Sequence, residues 1–231
     1  MGGTALKGQR LPHADAVAMA RDIMQNLLSL PRPSAEYVVH SIAVAGSVRR
    51  KKPTVGDIEF VVVLKDLERF RQRLEELGMK IEQGGDKLIR TMLDGVQIEF
   101  YITEQKSWGA CLLYATGSKE FNVEMRALAK RNGMLLNRSG LWNTGGLSIA
   151  SKTEEEIFKK LDLKYVEPVD RGYLPSTDGK VIFRTEIEGS RGQYTVTNHD
   201  QNGWFCTCPH YKFRLRDTGK VCKHIEAARK M

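Results

Sequence analysis

Two spacings of apolar residues organise the first 170 positions, one of three to four residues and one of two. Residues 14–30 carry the helical spacing and stop at Pro31. Residues 38–44 read as a strand, followed by the turn Ala45-Gly46-Ser47. Residues 57–64 are β-branched and apolar, which predicts a buried strand. Leu67, Phe70, Leu74 and Leu77 predict an amphipathic helix over 66–78. Strands over 88–93 and 96–102 flank Asp94-Gly95, a strong hairpin turn. Helices are expected at 106–115 and 119–132. Thr153 and Glu156 form a capping-box pattern that starts another helix, ending near Leu161. The run Asp170-Arg-Gly-Tyr-Leu-Pro-Ser-Thr-Asp-Gly-Lys180 gathers structure-breaking residues and reads as a linker. Beyond it lie short strands, among them 193–197 and 204–209, and a terminal helix from Cys222.

Strand alternation then exposes a chemical pattern. On Asp57-Ile-Glu-Phe60, Asp57 and Glu59 share one face while Ile58 and Phe60 point to the other. On 96–102, Val96, Ile98, Phe100 and Ile102 form an apolar face opposed by Gln97, Glu99 and Tyr101. If the two strands are neighbours with their apolar faces on the core, Asp57, Glu59 and Glu99 converge. Crowded carboxylates repel and call for cations, and an all-oxygen set favours Mg²⁺. Two such ions roughly 3.5–4 Å apart would clamp the attacking and leaving oxygens of a phosphoryl transfer. The same acids could equally lie on a solvated face beside Lys and Arg. Just upstream, Gly46-Ser47 and the basic run Arg49-Arg50-Lys51-Lys52 suit a phosphate, through close backbone approach, exposed N–H groups and guanidinium forks. A solvated basic loop is the plainer alternative.

Composition narrows the partner. The chain has 231 residues, 41% hydrophobic and 28% charged, within the range of folded globular proteins. No apolar run approaches the ~20 residues of a membrane span, and the first residues lack a secretory signal. An intracellular protein with no membrane partner is therefore expected, in cytoplasm or nucleoid, or the nucleus of a eukaryote. Lys and Arg number 36 against 28 Asp and Glu, a net +8 that suits a polyanion. The excess is uneven: from Arg171 onward 11 basic residues face 6 acidic ones.

Three of the four cysteines fall in the last thirty residues. Cys206-x-Cys208 and Cys222-x-His224 supply three thiolates and an imidazole, a closed tetrahedral shell for structural Zn²⁺. Reduced structural cysteines that happen to lie close are the alternative. His210 is expected at the surface, and Cys111 as a small buried apolar residue.

The string Ala45-Gly-Ser-Val-Arg-Arg-Lys-Lys-Pro-Thr-Val-Gly-Asp-Ile-Glu-Phe-Val-Val62 resembles the nucleotidyltransferase core of family X DNA polymerases. Ile98-Glu-Phe and Trp108 to Arg126 are similar to that family's third-carboxylate strand and its Tyr-Phe-Thr-Gly-Ser region. Lys152 to Pro168 resembles the end of its thumb, and the Cys/His pattern resembles a SWIM-type zinc finger. The resemblance implies an α+β fold: a nucleotidyltransferase palm, with a mixed sheet and flanking helices, and a thumb over 1–170. A linker over 171–179 and a zinc-bound ββα-like finger over 180–231 would follow. It implies that Asp57, Glu59 and Glu99 bind Mg²⁺ (or Mn²⁺), with Glu99 nearest the primer 3′-hydroxyl. Gly46, Ser47 and Arg50 would bind triphosphate, as would Arg10. Tyr114, Gly117 and Ser118 would pack on the incoming sugar, Asn122 would touch the nucleotide's minor-groove edge, and Arg126 would steady the template.

The expected activity is DNA-directed DNA synthesis from deoxynucleoside triphosphates on primer-template or gapped DNA, in short-gap repair, by a monomer whose finger helps hold DNA. A template-independent nucleotidyltransferase and a DNA-binding protein with a decayed site are the alternatives. Three departures bear on the choice. One Asp and two Glu replace the usual three aspartates, Ala115 replaces a bulky aromatic, and Lys119 stands where an acid is common. On this reading the family's lyase and helix-hairpin-helix modules are absent from the chain.

Overall fold

The computed structural model describes residues 10–29, 37–172, 181–190, 192–199, 203–211 and 220–231. They form two units, Met1–Arg171 and Gly172–Met231. In the first unit, β1 (Leu11–Pro12) leads into α1 (His13–Leu28). Then come β2 (Val39–Val44), α2 (Gly46–Arg49), β3 (Thr54–Val55), β4 (Asp57–Leu64), α3 (Leu67–Glu76), β5 (Lys80–Gly84), β6 (Leu88–Leu93) and β7 (Val96–Ile102). A 3₁₀ turn precedes α4 (Trp108–Thr116), which is followed by α5 (Lys119–Arg131), the short strands β8 (Leu135–Asn137), β9 (Gly140–Trp142) and β10 (Ser148–Ala150), and α6 (Glu154–Lys160).

The central sheet has the order β2-β4-β7-β6-β5. β4 and β7 run parallel and every other pair is antiparallel, so the sheet is mixed as expected. Its apolar face carries Ile58, Phe60, Ile98 and Phe100, all fully buried. Ala16, Ala20, Ile23 and Leu27 of α1 and Phe70 and Leu74 of α3 pack into the same core. The Phe60 and Phe100 rings stack at 5.3 Å, and Phe70 meets Phe100 edge-on at the same distance. Each buried side chain of this size contributes about 1.5–3 kcal/mol by leaving water, so α1 and α3 are fixed from one side only. The opposite face is divided. α4 covers its upper half through Cys111 and Ala115 against Ala45 and Val61, and leaves the start of β4 and β7 uncovered.

Local chemistry accounts for the element ends. Asp66 accepts the Arg69 N–H at 3.0 Å and Ser118 the Phe121 N–H at 3.3 Å, as N-caps. Thr153 Oγ1 caps α6 on the Glu156 N–H at 3.2 Å, while Glu156 reaches back to Lys152. Asp94 and Gly95 both have positive φ, as a tight hairpin turn requires. Three features differ from expectation. The turn at Gly46 is a one-turn helix. β5 and β8–β10 carry no clear alternation and escape periodicity. Arg171, assigned to a linker by its neighbours, is fully buried in the first unit; residues 173–180 of that stretch lie outside the described residues.

In the second unit, β11 (Val181–Gly189), β12 (Gly192–His199) and β13 (Gly203–Cys206) form an antiparallel sheet in that order, followed by α7 (Lys223–Ala228). The finger thus has one strand more than a ββα arrangement. No described helix is long and apolar enough to cross a membrane.

Candidate active site and metal centre

Parallel pairing of β4 and β7 places Glu59 directly beside Glu99, and Asp57 beside Gln97. The three carboxylates that alternation assigns to one face therefore do meet. Glu99 is buried and held by three donors: Arg90 Nε at 2.6 Å, Gln97 Nε2 at 2.9 Å and the Tyr101 hydroxyl at 2.9 Å. Burial and the Glu99 charge push the Tyr101 phenol up, so it remains a donor. Burial, then the neighbouring Asp57 charge, pushes the Glu59 carboxyl up to about 8. Burial and the Glu99 charge push Asp57 above its ordinary value as well. Such a trio stores repulsion that a cation would relieve. Its all-oxygen donor set fits a hard divalent ion such as Mg²⁺.

The α2 turn abuts this cluster. The Ala45 N–H donates to the Glu59 carbonyl at 2.8 Å, and Ser47 gives the Glu59 carboxylate a backbone hydrogen bond. Gly46 has φ +57°, and a Cβ there would sit 1.5 Å from Glu59 Oε2. Only glycine leaves room for that carboxylate. Two polar atoms here are buried without a hydrogen-bond partner, Ser47 Oγ and Arg50 Nε. Burial lowers the Arg50 pKa, opposed by the Glu59, Glu120 and Asp57 charges. Arg50 Nη1 donates to the Thr116 carbonyl, tying the α2 turn to Gly117-Ser118. On the other side, Arg10 bonds Thr54 through its Oγ1 and carbonyl at 2.9 and 2.6 Å. Its charge also reaches Asp57.

Tyr114, Asn122 and Arg126 line one small pocket with Leu136 and Asn137. Asn122 Nδ2 donates to the Tyr114 carbonyl at 2.7 Å. The Tyr114 ring lies edge-on to Tyr101 at 6.0 Å, which joins this pocket to the side chain that bonds Glu99. The carboxylates, the α2 turn, Arg10 and the Gly117-Ser118 turn thus form one neighbourhood. Cys111 is fully buried and its thiol is raised by burial, in line with a small apolar role.

Sequence reading missed the residues that brace the site. Gln97 and Tyr101 were legible as sharing Glu99's face. Arg90 could have been found by counting outward from the two-residue turn, since the hairpin register puts it opposite Glu99. A further group, the buried Glu154 and Arg171 with the half-buried Arg49 and Tyr165, has no local signal that joins its members.

In the second unit, the ligand atoms of Cys206, Cys208, Cys222 and His224 lie within 4.8 Å of one another, and all four residues are buried. His224 Nδ1 faces Cys206 Sγ at 3.7 Å and Cys222 Sγ at 3.9 Å. The Tyr194 ring packs on the imidazole at 4.8 Å. Three sulfurs and one nitrogen at this spacing fit a tetrahedral structural metal site. His210 is exposed and outside the set.

Comparison with known proteins follows the same division. Residues 111–172 match the DNA polymerase beta thumb and residues 183–228 the SWIM zinc finger. The chain is 24% identical over 230 residues to the DNA polymerase/3′-5′ exonuclease PolX of Bacillus subtilis, covering 96% of this chain and 38% of that protein. It is 29% identical over 206 residues to DNA polymerase lambda of Rattus norvegicus, covering 74% of this chain and 36% of the relative. A DNA nucleotidylexotransferase of Xenopus laevis is 35% identical over 78 residues, covering 33% of this chain and 15% of its own. The chain therefore spans little more than a third of the length of the first two of these relatives. It carries a DNA polymerase beta thumb and a SWIM zinc finger, and its similarity to family X polymerases covers most of its residues.

Proposed function

We propose that this chain is a DNA-directed DNA polymerase that adds deoxynucleotides to a primer 3′-hydroxyl, with short-gap filling as its task. The observation that carries the reading is the pairing of Glu59 with Glu99 across parallel strands, with Asp57 on the same face. The names of the relatives support it. Asp57, Glu59 and Glu99 would hold Mg²⁺ or Mn²⁺. When bound, those ions lower the pKa of the 3′-hydroxyl and offset charge on the leaving pyrophosphate.

The chain's own groups bind and orient. The Gly46-Ser47 backbone, Ser47 Oγ and the Arg50 guanidinium receive the triphosphate, and the two buried polar atoms without partners are the reason for assigning it there. Arg10 adds a second guanidinium beside Asp57. Tyr114 and the Gly117-Ser118 turn support the sugar, Asn122 the base edge and Arg126 the template strand. Arg90, Gln97 and Tyr101 keep Glu99 aimed at the primer terminus. The 3′-oxygen forms its bond to the α-phosphorus as the bond to pyrophosphate breaks. The finger would hold Zn²⁺ on Cys206, Cys208, Cys222 and His224 and grip DNA phosphates without sequence preference through residues such as Lys223, Arg229 and Lys230. Arg214 and Arg216 of the same basic set lie outside the described residues.

A template-independent nucleotidyltransferase is the second reading, favoured by Ala115 and by the nucleotidylexotransferase similarity. One assay separates the two: extension of a primer in gapped DNA with Mg²⁺ or Mn²⁺, with the templating base varied. Incorporation that follows the template supports the polymerase, and incorporation indifferent to it supports the second reading. Asp57→Asn and Glu99→Gln are each expected to lower incorporation by at least about a thousandfold while DNA binding persists. An unsubstituted protein that binds DNA and incorporates nothing would leave only a decayed site.

A further inference from the structure

One face of the finger's sheet is only partly covered. Val196 and Asn198 of β12 pair with Cys206 and Trp204 of β13, so Cys206 and Trp204 point to one side of the sheet. Phe183 of β11 stands opposite Asn198 and shares that side. α7 packs there too, with Ile225 and Ala228 in one cluster with Val196 and Cys206. The six residues of α7 reach about 9 Å, whereas the nine residues of β11 reach about 30 Å. The helix therefore covers the end where Tyr194 packs on His224. Phe183 and Trp204 lie toward the other end and remain partly exposed.

Two rings and one cation form a stack at that end. The Phe183 and Trp204 rings lie 5.3 Å apart, tilted by 57°. Arg229, the C-cap of α7, holds its guanidinium 5.6 Å from the centre of the Trp204 ring. Among the described residues no carboxylate pairs with this guanidinium. Arg229 is exposed, as are Lys230 beside it and Lys223 at the start of α7, against the single acid Glu226 on that helix. Flat rings rimmed by cations supply both things that an unpaired strand needs: π-faces for its bases and positive charge for its phosphates. A duplex matches only the charge, because its bases already stack on one another. An acidic protein segment likewise matches only the charge. Stacking of a base on an indole is stronger than an exposed cation–π contact. A base can therefore take the Trp204 face and release Arg229 to the adjoining phosphate.

We propose that Phe183, Trp204 and Arg229 form a binding surface for single-stranded DNA, on which an unpaired base stacks against Trp204 while Arg229 turns from the ring to a phosphate. The inference rests on the polymerase reading for its choice of DNA, and extends the finger's part in it from phosphate contact to base contact. The ligand is an unpaired strand of any sequence, since every base has a π-face.

The test uses the zinc-loaded full chain without nucleotide or added Mg²⁺. It compares two probes of equal length, oligothymidylate and a strand of abasic sites, which share their phosphates and differ in their bases. The unsubstituted chain is expected to bind oligothymidylate about tenfold more tightly, with quenching of its tryptophan fluorescence. Trp204→Ala should remove most of that preference and leave affinity for the abasic strand within about twofold. Trp204→Phe keeps a ring and removes the fluorophore, so it should retain the preference and lose the quenching. Arg229→Gln should weaken both probes equally and reduce the salt dependence by about one phosphate contact.

Equal affinity of the unsubstituted chain for the two probes would overturn the inference. So would a preference that survives in Trp204→Ala protein carrying stoichiometric zinc. If Trp204→Ala does not retain zinc, Trp204→Phe decides: quenching lost supports the stack, and quenching that persists places the bases elsewhere and overturns it. Polyglutamate that competes as well as oligothymidylate would mark a surface for an acidic protein and overturn it too. A chain that shows the preference but incorporates no nucleotide fails the polymerase reading and keeps this inference. One that incorporates nucleotide without the preference fails this inference alone.

Discussion

Glu59 shows how a single carboxyl couples folding to chemistry. In the metal-free protein its folded pKa is about 8, against an ordinary value near 4.3. A raised acid is neutral in the folded state while already ionised in the unfolded one. Stability therefore falls as pH rises from about 4.5 to about 8 and is level above that, a loss on the order of a few kcal/mol. Glu59→Gln removes the titration. It should leave the melting temperature at pH 5 nearly unchanged and raise it by several degrees at pH 8.5, while abolishing incorporation. Added Mg²⁺ should close the gap at pH 8.5 by stabilising only the unsubstituted protein. Thermal scans at both pH values, with and without Mg²⁺, check both statements; a substituted protein less stable at pH 8.5 would refute them. The three carboxylates were legible in the sequence because strand alternation fixes their face. Arg171 was not. Its neighbours are turn formers, and the partner that buries its charge, Glu154, lies 17 positions upstream, beyond any local pattern.

At the scale of elements, the informative case is α2, four residues that the sequence presents as a turn. Its first residue serves the site rather than the helix. Gly46 and Gly78 both have positive φ, but a Cβ at Gly78 would meet nothing within 4 Å, whereas one at Gly46 would collide with Glu59. Gly78→Ala should cost only the backbone penalty of about 1–2 kcal/mol and leave incorporation intact. Gly46→Ala pays the same penalty and also displaces the Glu59 carboxylate, so incorporation should fall on the order of a hundredfold. Melting temperatures and single-nucleotide incorporation rates on the pair distinguish these outcomes. Equal activity in both proteins would show that the close approach of Gly46 to Glu59 is immaterial. The elements α1, α3, β6 and β7 were readable because each buries one face on a shared core, whereas β4, buried on both faces over Phe60–Val63, was readable as a continuous β-branched apolar run. The three-residue strands β8, β9 and β10 are too short to establish a period, and pairing with one another holds them instead.

The two units differ in what keeps them folded. The first rests on a sheet and helices with a continuous apolar core. The buried cluster of the second consists of Val196, Tyr211, Ile225, Ala228 and three cysteines. Those cysteines are the ones grouped with His224, so the centre of this small core is the candidate metal site itself. Burial raises the Cys206 and Cys208 thiols, so without a cation they stay protonated and the cluster offers little cohesion. Structural Zn²⁺ contributes on the order of 10 kcal/mol of apparent folding free energy in modules of this size. Chelation should therefore unfold Gly172–Met231 alone. Proteolysis after chelator treatment is expected to cut within residues 183–228 and to leave a stable fragment of the first unit, and stoichiometric Zn²⁺ should restore protection. The second unit holds ten basic and six acidic residues. If it grips phosphates, its loss should weaken DNA binding and flatten the dependence of affinity on salt, with triphosphate affinity unchanged. A finger that resists protease after metal removal would mean the apolar residues suffice. A flattened salt dependence without loss of protection would mean the metal site serves DNA contact rather than folding.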